Sequence, residues 1–171
     1  MAHSRMIMLS VLITLVAACS IFSTSCLPDK CAIVCYNGGT CKSNQCICPV
    51  SFTGSNCQNV TLLNNWVGTD NNVTTSSSYQ QQISIARSTT DTSQVVIAFT
   101  SGFAAGHVVN GTLSTDGGII TYTKQLIPTT TTPDTVSGTI VLLSTNSLSN
   151  NYTYNNSHDG MIYTIQGHYT K

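Results

Sequence analysis

Short runs of hydrophobic and β-branched residues recur every eight to fifteen residues from Trp66 to the end of the chain, separated by polar turn residues. In several runs every second residue is large and apolar, as at Val95, Ile97 and Phe99. Period two places alternate side chains on opposite faces of a strand. The pattern therefore predicts about eight antiparallel strands and no helix. We expect them near residues 66–69, 79–86, 94–100, 107–113, 118–126, 137–143, 151–154 and 161–169.

Turn chemistry lies between these runs. Asp116-Gly117-Gly118 and Asp159-Gly160 are typical of hairpin turns, and Pro-containing residues 129–133 form a loop. Asn110-Gly111 falls inside a predicted strand and indicates either a bulge or an extra turn, so the range is seven to nine strands. Such a β domain is either an up-and-down β-barrel, which can hold one small ligand, or a β-sandwich. The pattern leaves both open.

The N-terminal 18 residues read as a signal peptide. A short start with His3 and Arg5 precedes an apolar stretch from Met6 to Ala18 that is interrupted only by Ser10 and Thr14. A helix needs roughly 20 apolar residues to span a bilayer, so we expect export and not a transmembrane anchor. Residues 19–30 lack periodicity and are interpreted as a tether.

Two cysteines in this region leave two alternatives open. Val16-Ala17-Ala18-Cys19 looks like a bacterial lipoprotein signal, in which the cysteine thiolate becomes the lipidated group. Lipidation of Cys19 would leave Cys26 as an unpaired thiol. Alternatively, the signal is cut after Ala18 and Cys19 pairs with Cys26. We expect the first, because the local motif is more specific than an even cysteine count.

Six cysteines crowd the next segment, with gaps of three, five, four, one and eight residues. A unit of about 27 residues cannot bury a useful core, so we expect disulfides to stabilise it in an oxidising compartment. Its turns suit that compactness: Asn37-Gly38-Gly39 precedes the third cysteine and Thr53-Gly54 the sixth. The six are Cys31, Cys35, Cys41, Cys46, Cys48 and Cys57.

Residues 31–57 resemble an EGF-like module, because Asn37-Gly38-Gly39-Thr40-Cys41 and Cys46-Ile47-Cys48-Pro49 stand where such modules have them. The resemblance implies three disulfides: Cys31–Cys41, Cys35–Cys46 and Cys48–Cys57. Calcium-binding versions need more carboxylates before the first cysteine than Asp29 supplies. We therefore expect no bound metal.

The whole chain resembles a group of EGF-motif-bearing bacterial surface lipoproteins. Beside the signal and the NGGTC motif, Asn65-Trp66-Val67-Gly68-Thr69 and Gly167-His168-Tyr169-Thr170-Lys171 carry this resemblance. It implies a lipocalin-like barrel for residues 66–171, joined through a linker at 58–65, although members usually place cysteines in that domain and this chain has none. The group offers no assigned activity.

Composition removes several functional classes. The formal net charge is zero and only 7% of residues are charged, so we expect no nucleic-acid partner. There is no Glu, and every Asp falls in a predicted turn or loop: Asp70 precedes Asn71-Asn72, and Asp91 and Asp134 lie among Ser, Thr and Pro. Turn aspartates bond their own backbone, so we do not expect a carboxylate pair for acid–base catalysis.

Three histidines remain as candidates for chemistry: His107, His158 and His168. Their spacing matches no recognised metal motif, so a hydrolase using one of them is a remote alternative and we expect neither catalytic residues nor a cofactor. The tyrosines and Trp66 could form a glycan-stacking face, but they are also the usual aromatic filling of a β domain.

The function expected from the sequence is non-catalytic. We predict a cell-surface lipoprotein that mediates binding or adhesion, held to the membrane by its lipid anchor, with a surface protein, glycan or small apolar ligand as partner. The alternative is a secreted, unlipidated adhesive or matrix protein. Five sequons would allow N-glycosylation of that form: Asn59, Asn72, Asn110, Asn151 and Asn155.

Overall fold

A computed structural model describes residues 31–91, 93–102, 105–127 and 133–171. The predicted signal peptide, the predicted lipidation site Cys19 and the predicted free thiol Cys26 lie outside the described residues. Among the residues described, no helix is long and apolar enough to cross a membrane.

The cysteine-rich module, residues 31–57, contains little regular structure. β1 (Thr40–Lys42) pairs with β2 (Gln45–Ile47), and β3 (Phe52–Thr53) pairs with β4 (Asn59–Val60). Three disulfides link Cys31 to Cys41, Cys35 to Cys46 and Cys48 to Cys57, which are the pairs that the resemblance implies. Among residues 31–60 only Ser51, Phe52 and Cys57 are buried, so covalent links take the place of a core.

Eight antiparallel strands follow and close into a barrel, which decides between the barrel and the sandwich. Each strand pairs with the next along the chain, and β12 returns to β5 with Gly167 opposite Asp70. The predicted up-and-down barrel is therefore confirmed. The strands are β5 (Asn65–Asn72), β6 (Ser77–Arg87), β7 (Gln94–Phe99), β8 (Val108–Leu113), β9 (Ile119–Ile127), β10 (Asp134–Ser144), β11 (Ser147–Asn155) and β12 (Ile162–Thr170).

Three local predictions were wrong. Asn110-Gly111 forms neither a turn nor a bulge, because both residues pair with β7 inside β8. Asp70 is not a turn residue: β5 continues through Asn72, since β12 supplies partners for its last residues, and the turn comes later. Asp134 likewise begins β10 instead of lying in a loop.

Alternating side chains from all eight strands fill the barrel. Trp66, Ile97 and Ile140 are among the fully buried apolar residues of one continuous core, which extends to Leu62 just before β5. The Trp66 indole donates a hydrogen bond to the Leu62 carbonyl at 3.1 Å. The inner face of each strand is therefore committed to packing.

The module lies against one end of the barrel. The β8–β9 turn meets it where Gly117 faces the Phe52 ring, so closely that a Cβ atom there would lie 3.0 Å from the ring. Thr61 joins the two parts by donating its amide to the Ser51 carbonyl at 2.8 Å and its hydroxyl to the Val50 carbonyl at 3.0 Å. We call this end of the barrel the module end. The opposite end, which we call the far end, carries the β5–β6, β7–β8, β9–β10 and β11–β12 connections.

Candidate functional site

A group of polar side chains lies inside the barrel, which we call the inner polar cluster: Asp70, Tyr122, Asn150, Tyr152 and Tyr169. The Asp70 carboxylate accepts hydrogen bonds from the hydroxyls of Tyr152 at 2.7 Å and Tyr169 at 2.5 Å. Tyr122 donates its hydroxyl to Oδ1 of Asn150 at 2.7 Å. All five residues are buried, so the cluster is a polar island within an apolar core.

Burial controls the protonation of this cluster. It raises the pKa of Asp70, and the hydrogen bonds from Tyr169 and Tyr152 only partly oppose that shift. Burial also raises the pKa of Tyr152 and Tyr169, and the neighbouring Asp70 carboxylate adds to the effect. The tyrosines are therefore held as neutral hydrogen-bond donors, and burial favours the neutral form of the Asp70 carboxyl group.

Two glycines make room for the cluster. A Cβ atom on Gly138 would lie 2.5 Å from the Tyr122 hydroxyl, and one on Gly167 would lie 2.3 Å from the Asp70 carboxylate. Phe99 packs beside the cluster, with its ring centre 6.0 Å from that of Tyr152. The cluster is thus packed closely against the backbones of β10 and β12 and against the Phe99 ring.

Two buried polar atoms make no hydrogen bond of normal geometry with the described residues: Oε1 of Gln81 in β6, and Nδ2 of Asn150 in the cluster. A buried polar atom without any partner costs roughly 1–3 kcal/mol, and for Asn150 an interaction with the Tyr169 hydroxyl offsets part of that cost. A core built only for stability would use apolar residues there. The unpaired buried polar atoms therefore lower the free energy of unfolding of the barrel.

A second carboxylate organises the far end. Asp134 accepts hydrogen bonds from the Tyr154 hydroxyl and from the amide and hydroxyl of Ser157, the latter two at 2.8 and 2.7 Å. Burial opposes its ionisation, but these bonds and the nearby His107 outweigh burial and lower the pKa of Asp134. Asp134 therefore fastens the β11–β12 loop to the start of β10.

Two of the histidines singled out in the sequence lie in connections at the far end, and the third lies in the barrel wall. His107 precedes β8 at the far end, His158 is exposed in the β11–β12 loop, and His168 is exposed in β12 opposite Thr69. The described part of the chain contains no group of three His, Cys, Asp or Glu side chains that could hold a metal ion. Ser157, the residue before His158, donates its hydroxyl hydrogen bond to the Asp134 carboxylate at 2.7 Å.

The barrel wall is irregular at one seam. Between β8 and β9 the register consists of two pairs, Thr112–Thr121 and Leu113–Ile120, both near the module end. Every other pair of neighbouring barrel strands has at least five registered pairs. Towards the far end, the two strands therefore separate.

A side chain bridges this separation. The Gln125 carboxamide accepts from the Asn110 amide through Oε1 at 2.8 Å and donates through Nε2 to the Asn110 carbonyl at 2.5 Å. A register shift between Val136 and Gly138 of β10 gives β9 an extra residue just before Gln125. Such a bulge bends a strand and redirects its side chains, which accounts for both the separation and the position of Gln125.

A cleft also lies where the module meets the barrel. It encloses about 350 Å³ between Thr53, polar and apolar residues of the linker, and the side chains of Arg87 and Lys171. The Lys171 ammonium sits over the Trp66 ring, 4.8 Å from its centre, and burial lowers its pKa. Lys171 is thus engaged with the barrel and helps to cover Trp66.

The sequons differ in accessibility. Asn59, Asn110 and Asn151 are exposed, and Asn155 is half-buried. Asn72 is 2% exposed, and its side-chain oxygen accepts from the amides of Thr74 and Thr75. Asn72 therefore caps the β5–β6 turn and could not carry a glycan in the folded protein.

Sequence reasoning missed the two residues that best distinguish this barrel, Asp70 and Gln125. A signal for Asp70 was present: continuing the alternation from Trp66 through Gly68 places residue 70 on the inner face. No comparable signal marks Gln125, because its role depends on a bulge whose position is set by pairing between β9 and β10.

With this geometry established, the chain can be compared with known proteins. Neither a protein-family model nor a curated protein matches the sequence. Solved β-barrels do resemble it in fold. EF1p2_mFAP2b bound to DFHBI aligns with a TM-score of 0.50 and 14% identity, over 65% of this chain and 94% of that one.

Two redesigned β-barrels are also similar. The barrel b11L5F_LGL aligns with a TM-score of 0.47 and 16% identity, over 65% of this chain and 91% of that one. The barrel mFAP0 bound to DFHBI aligns with a TM-score of 0.46 and 20% identity, over 65% of this chain and 99% of that one. At such identities the similarity concerns the barrel fold alone.

Proposed function

We propose that this protein is a non-catalytic binding protein, exported and held at the cell surface by lipid on Cys19. Its cysteine-rich module acts as an EGF-like spacer or interaction unit, and its barrel is a rigid scaffold. The observation that carries the binding mode is the filling of the barrel: the core runs from Leu62 through Trp66 to the inner polar cluster. A partner therefore meets the outside of the barrel rather than entering it.

This packing favours one of the partners considered from the sequence. A small apolar ligand needs a cavity lined by apolar side chains, whereas the space beside Asp70 is taken up by tyrosines and by the close approach of Gly138 and Gly167. A surface protein needs an accessible outer face. Exposed apolar side chains are available there, among them Val67, Val108 and Leu126, so we favour a protein partner.

Surface display is tested by comparing the wild type with Cys19→Ser in the native host. Intact mass of the membrane fraction should show a chain that begins at Cys19 and carries acyl groups, and antibody labelling of unbroken cells should fall to background in the variant. A soluble, glycosylated wild-type chain would instead support the secreted adhesive protein.

Binding is tested separately by attachment. Cells with the wild-type protein should adhere to a protein-coated surface better than cells with Cys19→Ser, and purified full-length protein should compete with that adhesion. If the wild-type protein is shown to be displayed and both strains still adhere equally, the proposed binding function is refuted. Turnover of a substrate that depends on His107 would favour the hydrolase instead.

A further inference from the structure

Positive charge converges on the cleft between the module and the barrel. Arg87 at the end of β6 and Lys171 after β12 both line it, and they are the only ionisable side chains among its described lining residues. The part of the chain that the structure describes contains two further Lys or Arg residues, Lys42 and Lys124. Half of these cations therefore face one cleft, in a chain that has no net charge.

Two carboxamides of the linker add hydrogen-bond donors to this lining. Oε1 of Gln58 accepts from the Asn56 amide at 2.9 Å, and Oδ1 of Asn64 accepts from the Asn65 amide at 2.9 Å. Because both oxygens are engaged by the backbone, the polar group that each side chain has left is its NH₂ group, which only donates. An oxyanion, which only accepts, is the complement of such a lining.

The cationic groups are suited to hold an anion. The Lys171 ammonium lies 4.8 Å from the centre of the Trp66 ring, and a hydrogen bond to the Leu62 carbonyl fixes that ring in turn. Burial lowers the pKa of Lys171 because it removes water from the ammonium, and a bound anion would replace that lost solvation. The Arg87 guanidinium has five N–H donors in a planar fork, so it can bind both oxygens of a carboxylate and keep other contacts.

The size and the remaining lining indicate what carries the anionic group. Cavities of about 300 Å³ or more hold small organic ligands, so the cleft has room for more than a bare inorganic ion. Thr53 and Asn59 offer polar groups for sugar hydroxyls, and Val60 and Leu63 offer apolar surface for the C–H face of a sugar ring. An acidic side chain of a protein would reach the cations but would leave most of this lining without contacts.

We propose that this cleft binds an acidic monosaccharide, with its carboxylate between Arg87 and Lys171 and its hydroxyls against Thr53 and Asn59. The inference goes beyond the proposed function and does not rest on it, because a free sugar acid needs neither lipid on Cys19 nor a protein partner to enter the cleft. Free sugar acids and the terminal acidic residues of surface glycans share the chemistry that the cleft recognises.

Titration calorimetry on the full-length chain tests the cleft, with D-glucuronate as the probe. Glucose has the ring without the carboxylate, and acetate has the carboxylate without the ring. Glucuronate should bind at least tenfold more tightly than either, because both parts of the molecule contact the lining. The methyl glycoside of glucuronate imitates a terminal glycan residue: equal binding would support a glycan as the source, and its rejection would support the free sugar acid.

One variant reverses the chemistry of the cleft without removing a structural contact. Asn64→Asp keeps the oxygen that accepts from the Asn65 amide but replaces the NH₂ donor with a second carboxylate oxygen, so it should abolish measurable binding of glucuronate. Asn151→Asp adds the same charge at an exposed position of β11 and should change the affinity by less than twofold. Unchanged Trp66 fluorescence would show that both variants are folded.

The cations are tested by neutral replacements. Arg87→Gln and Lys171→Gln should each weaken glucuronate binding by at least tenfold, since each removes a charge-assisted hydrogen bond. Lys124→Gln removes the same charge from an exposed position of β9 and should change the affinity by less than twofold. Arg87→Lys keeps the charge but loses the planar fork, so its affinity should lie between those of the wild type and Arg87→Gln.

Several results would overturn the inference. Absence of glucuronate binding, or equal binding by the wild type and Asn64→Asp, would refute the site. Acetate that binds as tightly as glucuronate would reject the sugar and identify a site for any small anion, and tighter binding of a blocked glutamate peptide would identify an acidic protein segment instead. Adhesion that depends on Cys19 tests only the proposed function, so the two ideas fail separately.

Discussion

The cysteine-rich module and the barrel solve the problem of stability in opposite ways. The module, residues 31–57, buries only three of its residues and depends on three disulfides. The barrel contains no cysteine and relies on a continuous core around Trp66 and Ile97. The difference follows from size, because a unit of about 30 residues cannot bury enough apolar surface to offset its conformational entropy.

Chemical reduction should separate the two regions most strongly. Each disulfide closes a short loop and is worth about 2–3 kcal/mol in the chain-entropy model, so loss of all three should unfold the module while the barrel stays folded. Exchange of module amides should rise to the rate of an unfolded chain, and Trp66 fluorescence should remain that of a buried indole. Module amides that stay protected after full reduction would contradict this division of stability.

A cavity in the barrel should have the next largest effect. Ile97→Ala removes a fully buried side chain and should lower the free energy of unfolding by about 2–5 kcal/mol, measured by denaturant with Trp66 fluorescence as the signal. Val108→Ala, on the exposed face of the next strand, should change it by less than about 0.5 kcal/mol. Similar losses from both variants would show that the inner face does not carry the stability.

The fold was largely predictable because its signals are local. Alternation such as Val95, Ile97 and Phe99 marks a strand wherever it lies, and all eight predicted barrel strands are present. Closure was not predictable, because it depends on pairing between β12 and β5, such as Gly167 with Asp70. A pair so distant in sequence leaves no periodic pattern that separates a barrel from a sandwich.

The candidate sites were harder to predict for a related reason. Asp70 precedes two asparagines and so matches a turn, yet β12 extends β5 and turns the carboxylate inward. The seam arises from pairing that two strands fail to make, and absence of pairing has no sequence signature. Local reasoning therefore identified strands and turns but not the interactions that depend on the assembled barrel.

Loss of a single hydroxyl should show what the inner polar cluster contributes to the barrel. Tyr152→Phe removes one of the two hydroxyl donors of Asp70 and should lower the free energy of unfolding by about 1–3 kcal/mol, because the buried carboxylate loses a partner. Tyr36→Phe, whose side chain is 55% exposed in the module, is the matched control and should be neutral. An equally neutral Tyr152→Phe would mean that the cluster does not stabilise the barrel.

The smallest expected effect is a dependence of stability on pH, which should have opposite signs for the buried carboxyl of Asp70 and the exposed carboxyl of Asp91. Burial raises the pKa of Asp70, so the folded chain holds that proton more tightly than the unfolded chain, and the contribution of Asp70 to stability falls as the pH rises through its folded pKa. Relative to Asp70→Asn, the wild type should therefore lose stability from about pH 4 upward, with a slope of at most about 1.4 kcal/mol per pH unit.

Asp91 provides the control of opposite sign. Hydrogen bonds from the hydroxyl and amide of Ser93 lower its pKa, so the stability that it contributes is present above the usual carboxyl pKa and is lost as the pH falls. Relative to Asp91→Asn, the wild type should gain stability as the pH rises towards the usual carboxyl pKa, below the range in which Asp70 loses it. Denaturant unfolding of all three proteins between pH 3 and pH 8 measures both slopes, and slopes of the same sign would show that Asp70 is hydrated like a surface carboxylate rather than sealed inside the barrel.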